Sequence, residues 1–178
     1  MAVEIRPIGP NDIEGFHRAV DVVARERKYL AFLEGPPLES ARAFVLDNIA
    51  RGNPQFVAIA EGEVVGWCDV VRNSRPVHAH GGVLGMGLLP EFRGRGHGRT
   101  LIEAALRSAV TSGFSRVELT VLADNGRAIA LYGKIGFVRE GVKRDAVCID
   151  GRFTDSILMA LTGLSFKLPR HNFEKGDG

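Results

Sequence analysis

From Arg93 to Arg99 the chain reads Arg-Gly-Arg-Gly-His-Gly-Arg, three glycines interleaved with three arginines and one histidine. Glycine has no Cβ, so successive backbone N–H groups can close around one anionic oxygen with no side chain in the way. The segment follows an apolar stretch stopped by Pro90 and precedes a helical pattern. Its amides therefore lie at a helix N-terminus, where the dipole favours negative charge. Arg93, Arg95 and Arg99 add cations, and a diphosphate fits that combination. Spacing excludes two common nucleotide loops. A dinucleotide fingerprint begun at Gly94 needs glycine or alanine where Arg99 stands, and a Walker loop needs Lys followed by Ser or Thr. What remains is R-x-x-G-x-G, carried by Arg93, Gly96 and Gly98. Taken alone, this pattern also suits a glycine-lined turn with solvated arginines.

The elements that must hold this loop follow from periodicity and punctuation. Val3 to Pro7 reads as a strand. A helix then carries Ile13, Phe16, Val20 and Val23 behind a cap at Asn11 or Asp12. A second helix starts at Pro-Pro-Leu-Glu-Ser with Ser40 as cap, an apolar face of Phe44, Val45 and Ile49, and Gly52 behind it. Phe56 to Ala60 and Val64 to Val71 form a hairpin across Glu61-Gly62. His80 to Leu89 reads as a glycine-rich central strand. After the loop come a helix with Leu101, Ile102, Ala105, Leu106 and Ala109 inward, then an alternating strand from Arg116 to Leu122. A helix from Asn125 places Ala128, Leu131, Tyr132 and Ile135 on one face. Val138 to Ile149 and Phe153 to Leu161 close the chain as a hairpin around Asp150-Gly151. The order predicts an α/β layered domain with a mixed sheet and strand-helix-strand crossovers at its middle.

Composition sets the outer bounds. The chain has 178 residues, 23 of them basic and 21 acidic. One domain is expected at this length, and the balanced charge offers no overall field for nucleic acid. Cys68 and Cys148 lie far apart with no histidine at metal-ligand spacing, so both are read as reduced and structural. His78 and His80 lack a third ligand, and no metal is expected. No apolar run approaches the roughly 20 residues of a membrane span, and the first residues lack a signal-peptide build, so a cytoplasmic location is expected.

From Met86 to Phe137 the sequence resembles the core of the GCN5-related N-acetyltransferases, the GNAT superfamily. A strand and Pro90 lead to R-x-x-G-x-G opening a helix. A further strand leads to N-x-x-A-x-x-L-Y-x-K-x-G-F, which stands here as Asn125, Ala128, Leu131, Tyr132, Lys134, Gly136 and Phe137. The resemblance implies a GNAT-type single α/β domain over residues 1–162. Its mixed, mostly antiparallel sheet would have about seven strands with a central V-shaped splay, flanked by about four helices. Residues 163–178 would form a loosely ordered tail. It also implies acetyl-CoA as co-substrate and an amine as acceptor, with a homodimer as a common state of the fold, while the balanced charge and the lack of a long apolar run predict no nucleic acid or membrane partner.

Residue by residue, the resemblance assigns the coenzyme pyrophosphate to the backbone of Arg93, Gly94, Arg95, Gly96, His97 and Gly98, with Arg99 beside them. It assigns the pantetheine arm to Met86, Gly87 and Leu88, and the thioester carbonyl to the Leu88 amide. Tyr132 matches the family tyrosine that protonates the departing thiolate, and Asn125 a residue near the coenzyme and at a helix cap. The pattern breaks at the general base. Several members carry a glutamate on the central strand, whereas residues 81–86 here hold no carboxylate. A water chain, His80, Glu34 and Glu26 are the candidates that remain. A non-catalytic module that binds acyl-CoA as a sensor is the competing reading of the same fold.

Overall fold

A computed structural model describes residues 2–164. Seven strands, β1 (Glu4–Pro7), β2 (Gln55–Ala60), β3 (Glu63–Arg72), β4 (Gly81–Leu88), β5 (Arg116–Leu122), β6 (Val138–Ile149) and β7 (Arg152–Thr162), form one sheet. Four helices accompany them: α1 (Ile13–Arg25), α2 (Leu38–Ala50), α3 (His97–Thr111) and α4 (Gly126–Ile135). The strand order is β1-β2-β3-β4-β5-β7-β6, with β4 and β5 parallel and every other neighbour antiparallel. This is the layered α/β architecture expected. The tail expected over residues 163–178 lies, from residue 165 on, outside the described residues.

Each sheet face has its own core. Leu101, Ile102, Ala105, Leu106 and Ala109 of α3 are fully buried against Cys68, Val70, Leu84 and Val117. On the opposite face Ile13, Phe16, Val20 and Val23 of α1 pack with Ala41 and Val45 of α2 onto Val57 and Trp67. Truncating a side chain such as Leu106 to alanine costs about 2–5 kcal/mol in a core of this density.

Punctuation mostly acts as expected. Asp150 and Gly151 take φ of +51° and +77° in the final turn, and Gly113 and Gly136 end α3 and α4 at φ of +81° and +114°. Four expectations are corrected. Asp12 stands at the N-cap position of α1 as expected, but its side chain makes no capping bond to the helix, because its carboxylate is taken by Arg6 at 2.7 and 2.9 Å and by the Gly9 N–H at 2.8 Å. Pro37, not Ser40, is the boundary of α2; Ser40 lies inside the helix, where its N–H donates to the Pro37 carbonyl. Phe44 and Ile49 remain substantially exposed while Asn48 is buried, so α2 turns a partly polar face inward. Cys148 is exposed on β6, whereas Cys68 is buried.

Candidate active site

The parallel pairing of β4 with β5 lasts for three rungs, Gly81 to Arg116, Gly82 to Val117 and Val83 to Glu118. Beyond Val83 the strands part, and a cavity of about 630 Å³ opens between them, walled by α3, α4 and the segment after α1. The register fixes which backbone groups look into it. Leu89 donates its N–H to the Val65 carbonyl at 2.9 Å, and β3 and β4 pair with Trp67 opposite Gly87 and Asp69 opposite Gly85. In an antiparallel pair, alternate residues spend both backbone groups on the partner strand. Gly85 and Gly87 therefore bond to β3, while the N–H groups of Leu84, Met86 and Leu88 point into the gap. The Leu88 carbonyl accepts from Arg93 Nε at 2.8 Å, leaving its amide toward the cavity.

The glycine loop lies at one end of this gap. Gly94 and Gly96 have φ of +77° and +91°, and Gly96 is the residue from which α3 starts. Such angles strain any residue with a Cβ, which explains glycine at both positions. Gly98 is buried at the start of α3, and a Cβ there would make ordinary contacts of 3.4–3.5 Å with Leu88, Leu131 and Met86. Of the three arginines, Arg93 turns inward, paired through both terminal nitrogens with Glu26 and lying 4.8 Å over the Tyr29 ring. Arg99 pairs with Glu103 at 2.7 Å while still lining the cavity, and Arg95 is exposed and outside the cavity lining. His97 is half-buried beside Phe92. A further cation, Arg127 at the start of α4, lines the cavity over Gly94, where a Cβ would run into its guanidinium. Arg127 has no acidic partner among the described residues.

On α4, the Asn125 side chain accepts from the Ala128 N–H at 3.2 Å and caps the helix. Tyr132 is 8% exposed and lines the cavity, its ring 5.8 Å from that of Phe137. Burial, with a smaller contribution from Cys68, pushes its phenol well above the ordinary tyrosine range, so it keeps its proton across neutral pH. Ala128, Leu131 and Ile135 are only partly buried, because the face expected to be core also walls the cavity.

The base candidates are dispersed. Glu26 is committed to Arg93. Glu34 is exposed, 3.6 Å from Arg25. His80 precedes β4 at the end where it still pairs with β5, several residues from the gap, and its carbonyl accepts from Ser115 and Arg116. Among the described residues no group of three His, Cys, Asp or Glu converges on a common point.

Sequence reasoning missed one carboxylate. Asp69 is 6% exposed on β3, opposite Gly85, and a Cβ on Gly85 would lie 3.3 Å from its Oδ1. Burial with no cation beside it pushes Asp69 up to about 7. Its signal was an acidic residue inside the apolar run Val-Val-Gly-Trp-Cys-Asp-Val-Val.

Residues 23–137 match the model of the acetyltransferase (GNAT) family. The chain belongs to the acetyltransferase (GNAT) family. The chain is 43% identical over 82 residues to the mycothiol acetyltransferase of Paenarthrobacter aurescens, a match covering 45% of this chain and 25% of that protein. It thus spans about a quarter of that relative's length. It is 31% identical over 110 residues to the L-amino acid N-acetyltransferase AaaT of Escherichia coli, covering 61% of this chain and 68% of that one. The fold of a GNAT phosphinothricin acetyltransferase from Sinorhizobium meliloti, solved in complex with acetyl-CoA, superimposes with a TM-score of 0.86 at 19% identity. That superposition covers 99% of this chain and 98% of that one.

Proposed function

We propose that this GNAT chain acetylates a primary amine by direct attack on acetyl-CoA held in the β4–β5 gap. The observation that carries the reading is the convergence of a free Leu88 amide, a protonated Tyr132 phenol and the glycine loop on one cavity. The amides from Arg93 to Gly98 receive the pyrophosphate at the N-terminus of α3, with Arg99 and Arg127 supplying charge. The pantetheine arm runs beside Met86, Gly87 and Leu88 and completes the backbone pairing that β5 abandons. The Leu88 N–H stabilises the oxyanion that forms on the thioester carbonyl as nitrogen attacks. Tyr132 gives its proton to the leaving sulfur. Asn125 holds the start of α4, and with it Tyr132 and Arg127, in place.

Residues 1–162, ending with β7, form the transferase domain in this reading. Two unpaired thiols suit a reducing cytoplasm, where acetyl-CoA is made. Val138 and Phe153, exposed on opposite sides of the last hairpin, support a homodimer through that hairpin. The acceptor is a small-molecule amine or a protein N-terminus or lysine. Among the described residues no helix is long and apolar enough to cross a membrane. The test is a thiol-release screen over amino acids, polyamines and short peptides, paired with calorimetric titration of acetyl-CoA. Thiol release that depends on an amine supports transfer. Binding without release from any amine would leave the acyl-CoA sensor.

A further inference from the structure

We infer that Asp69 is the general base, receiving the proton of the acceptor nitrogen past Gly85, with Gln55 as its polar neighbour on β2. The inference rests on acetyl transfer in the β4–β5 gap and supplies the group that β4 lacks.

Three placements carry it. First, β4 residues 83, 85 and 87 share the sheet face covered by α1 and α2. Gly85 and Gly87 are bare there, and their β3 partners lie across them: Trp67 over Gly87 and the Asp69 carboxylate over Gly85. Gly85 itself lines the cavity, so a side chain at 85 would stand between carboxylate and cavity. Second, Tyr132 enters the cavity from α4, on the opposite face. Direct attack needs a base on the side of the nitrogen and an acid on the side of the sulfur, and the two groups come from the two faces. Third, Asp69 lies opposite Gln55 of β2, with the side chains of such a pair on one face. Gln55 is 4% exposed, and its Nε2 is the one fully enclosed side-chain polar atom without a partner among the described residues. The Asp69 carboxylate accepts no hydrogen bond among them either. A buried donor and a buried acceptor left unpaired on neighbouring residues of one sheet face are costly unless they serve a ligand. Gln55 is anchored from behind by Asn48 at 3.4 Å, and Asn48 by Asn53 at 2.9 Å.

No charge competes at this spot. The inward residues of α1 are apolar, α2 and β2 present Asn48 and Gln55, β4 presents Gly85, and Cys68, next in the chain, is the one titratable neighbour coupled to Asp69. The step balances. The neutral amine forms the C–N bond and passes one proton to Asp69. The C–S bond breaks, and the thiolate takes the Tyr132 proton. Transfer of a proton from Asp69 to the Tyr132 phenolate through solvent resets both groups.

The test compares wild type, Asp69→Asn and Gln55→Leu by thiol release against pH, using acetyl-CoA and the best acceptor from the amine panel, with calorimetry of acetyl-CoA binding. Wild-type kcat/KM should rise with pH through an inflection near 7, below the range of an ordinary alkylamine. Asp69→Asn should bind acetyl-CoA as wild type does, lose roughly 10²–10⁴ in kcat/KM and lose that inflection. Gln55→Leu should keep the inflection but move it upward, because the carboxylate loses its polar neighbour on the facing strand and is desolvated further. Folded Asp69→Asn with a wild-type rate, or with the inflection in place, would overturn the inference while leaving acetyl transfer standing. If Asp69→Asn does not fold, an unmoved inflection in Gln55→Leu overturns it. A wild type that binds acetyl-CoA but acetylates no amine would instead remove the proposed transfer.

Discussion

The two faces of the sheet are built on different rules. The face under α3 and α4 is apolar up to the edge of the cavity, and its chemistry is done by backbone amides and one phenol. The face under α1 and α2 buries a polar chain, Asn53 to Asn48 to Gln55, that stops one residue pair short of an unpaired carboxylate. A dry face can hold main-chain donors rigidly and cheaply, since each N–H has few alternative partners. A polar chain in a core carries a desolvation penalty and persists where it positions something. On the proposed reading, donor binding rests on geometry and acceptor chemistry on electrostatics.

The largest effect that would sharpen this contrast is on stability. A carboxyl group raised in the folded state from 3.8 to about 7 binds its proton more tightly when native than when unfolded. Stability from this group is therefore full below about pH 4 and declines until about pH 7, where the native carboxyl has ionised. At 1.36 kcal/mol per unit, the decline is on the order of 4 kcal/mol. Asp12, Asp150 and Glu140, which are lowered by Arg6, Arg27 and Arg116, act with the opposite sign, so the quantity to measure is the difference between wild type and Asp69→Asn. That difference, from denaturant melts at pH 4.5 and pH 8, should favour the variant increasingly as pH rises. A difference independent of pH would break the comparison by showing Asp69 unstrained.

Next comes Tyr132→Phe, which removes a hydroxyl and keeps the ring against Phe137. Turnover should fall roughly ten- to a thousandfold at neutral pH with little change in acetyl-CoA affinity. The penalty should shrink as pH rises through the thiol range near 8.5, because the thiolate then leaves without needing a proton. Wild-type turnover, with chemistry limiting, would remove the acid from the α4 face.

Two smaller effects probe the loop. Gly96→Val should weaken acetyl-CoA binding by about a hundredfold, since a branched side chain at φ of +91° strains the backbone that presents the amides. Arg127→Ala should weaken it by about three- to tenfold, the effect of one partly solvated cation on a phosphate. Calorimetry separates the two, and affinity that ignores both substitutions would move the coenzyme off this loop.

Much of the donor face was legible in the sequence. The loop lies where R-x-x-G-x-G placed it, because glycine spacing, proline and a helical period act locally. The hairpins were legible from Glu61-Gly62 and Asp150-Gly151 for the same reason. What escaped depends on register. An acidic residue inside an apolar run marks Asp69 as unusual, but its placement against Gly85 appears only once β3 is set against β4. Arg127 sits between Asn125 and Ala128, inside the helix-opening motif, yet its closeness to Gly94 is a contact between elements 33 residues apart. Phe44 and Ile49 misled because an apolar residue on a helix is no sign of which side faces the sheet once Asn48 takes the inward position.

The N–H groups of Leu84, Met86 and Leu88 face the gap where β5 has parted from β4, so a coenzyme held there, as proposed, would be recognised through the part of the polypeptide that every residue type shares. Substitution along β4 can change side chains without deleting a donor, provided that the glycines under Trp67 and Asp69 stay small. On the proposed reading this arrangement is asymmetric under mutation: the cofactor grip on β4 tolerates drift, while a single change at Asp69 on the neighbouring strand would stop proton removal from the acceptor.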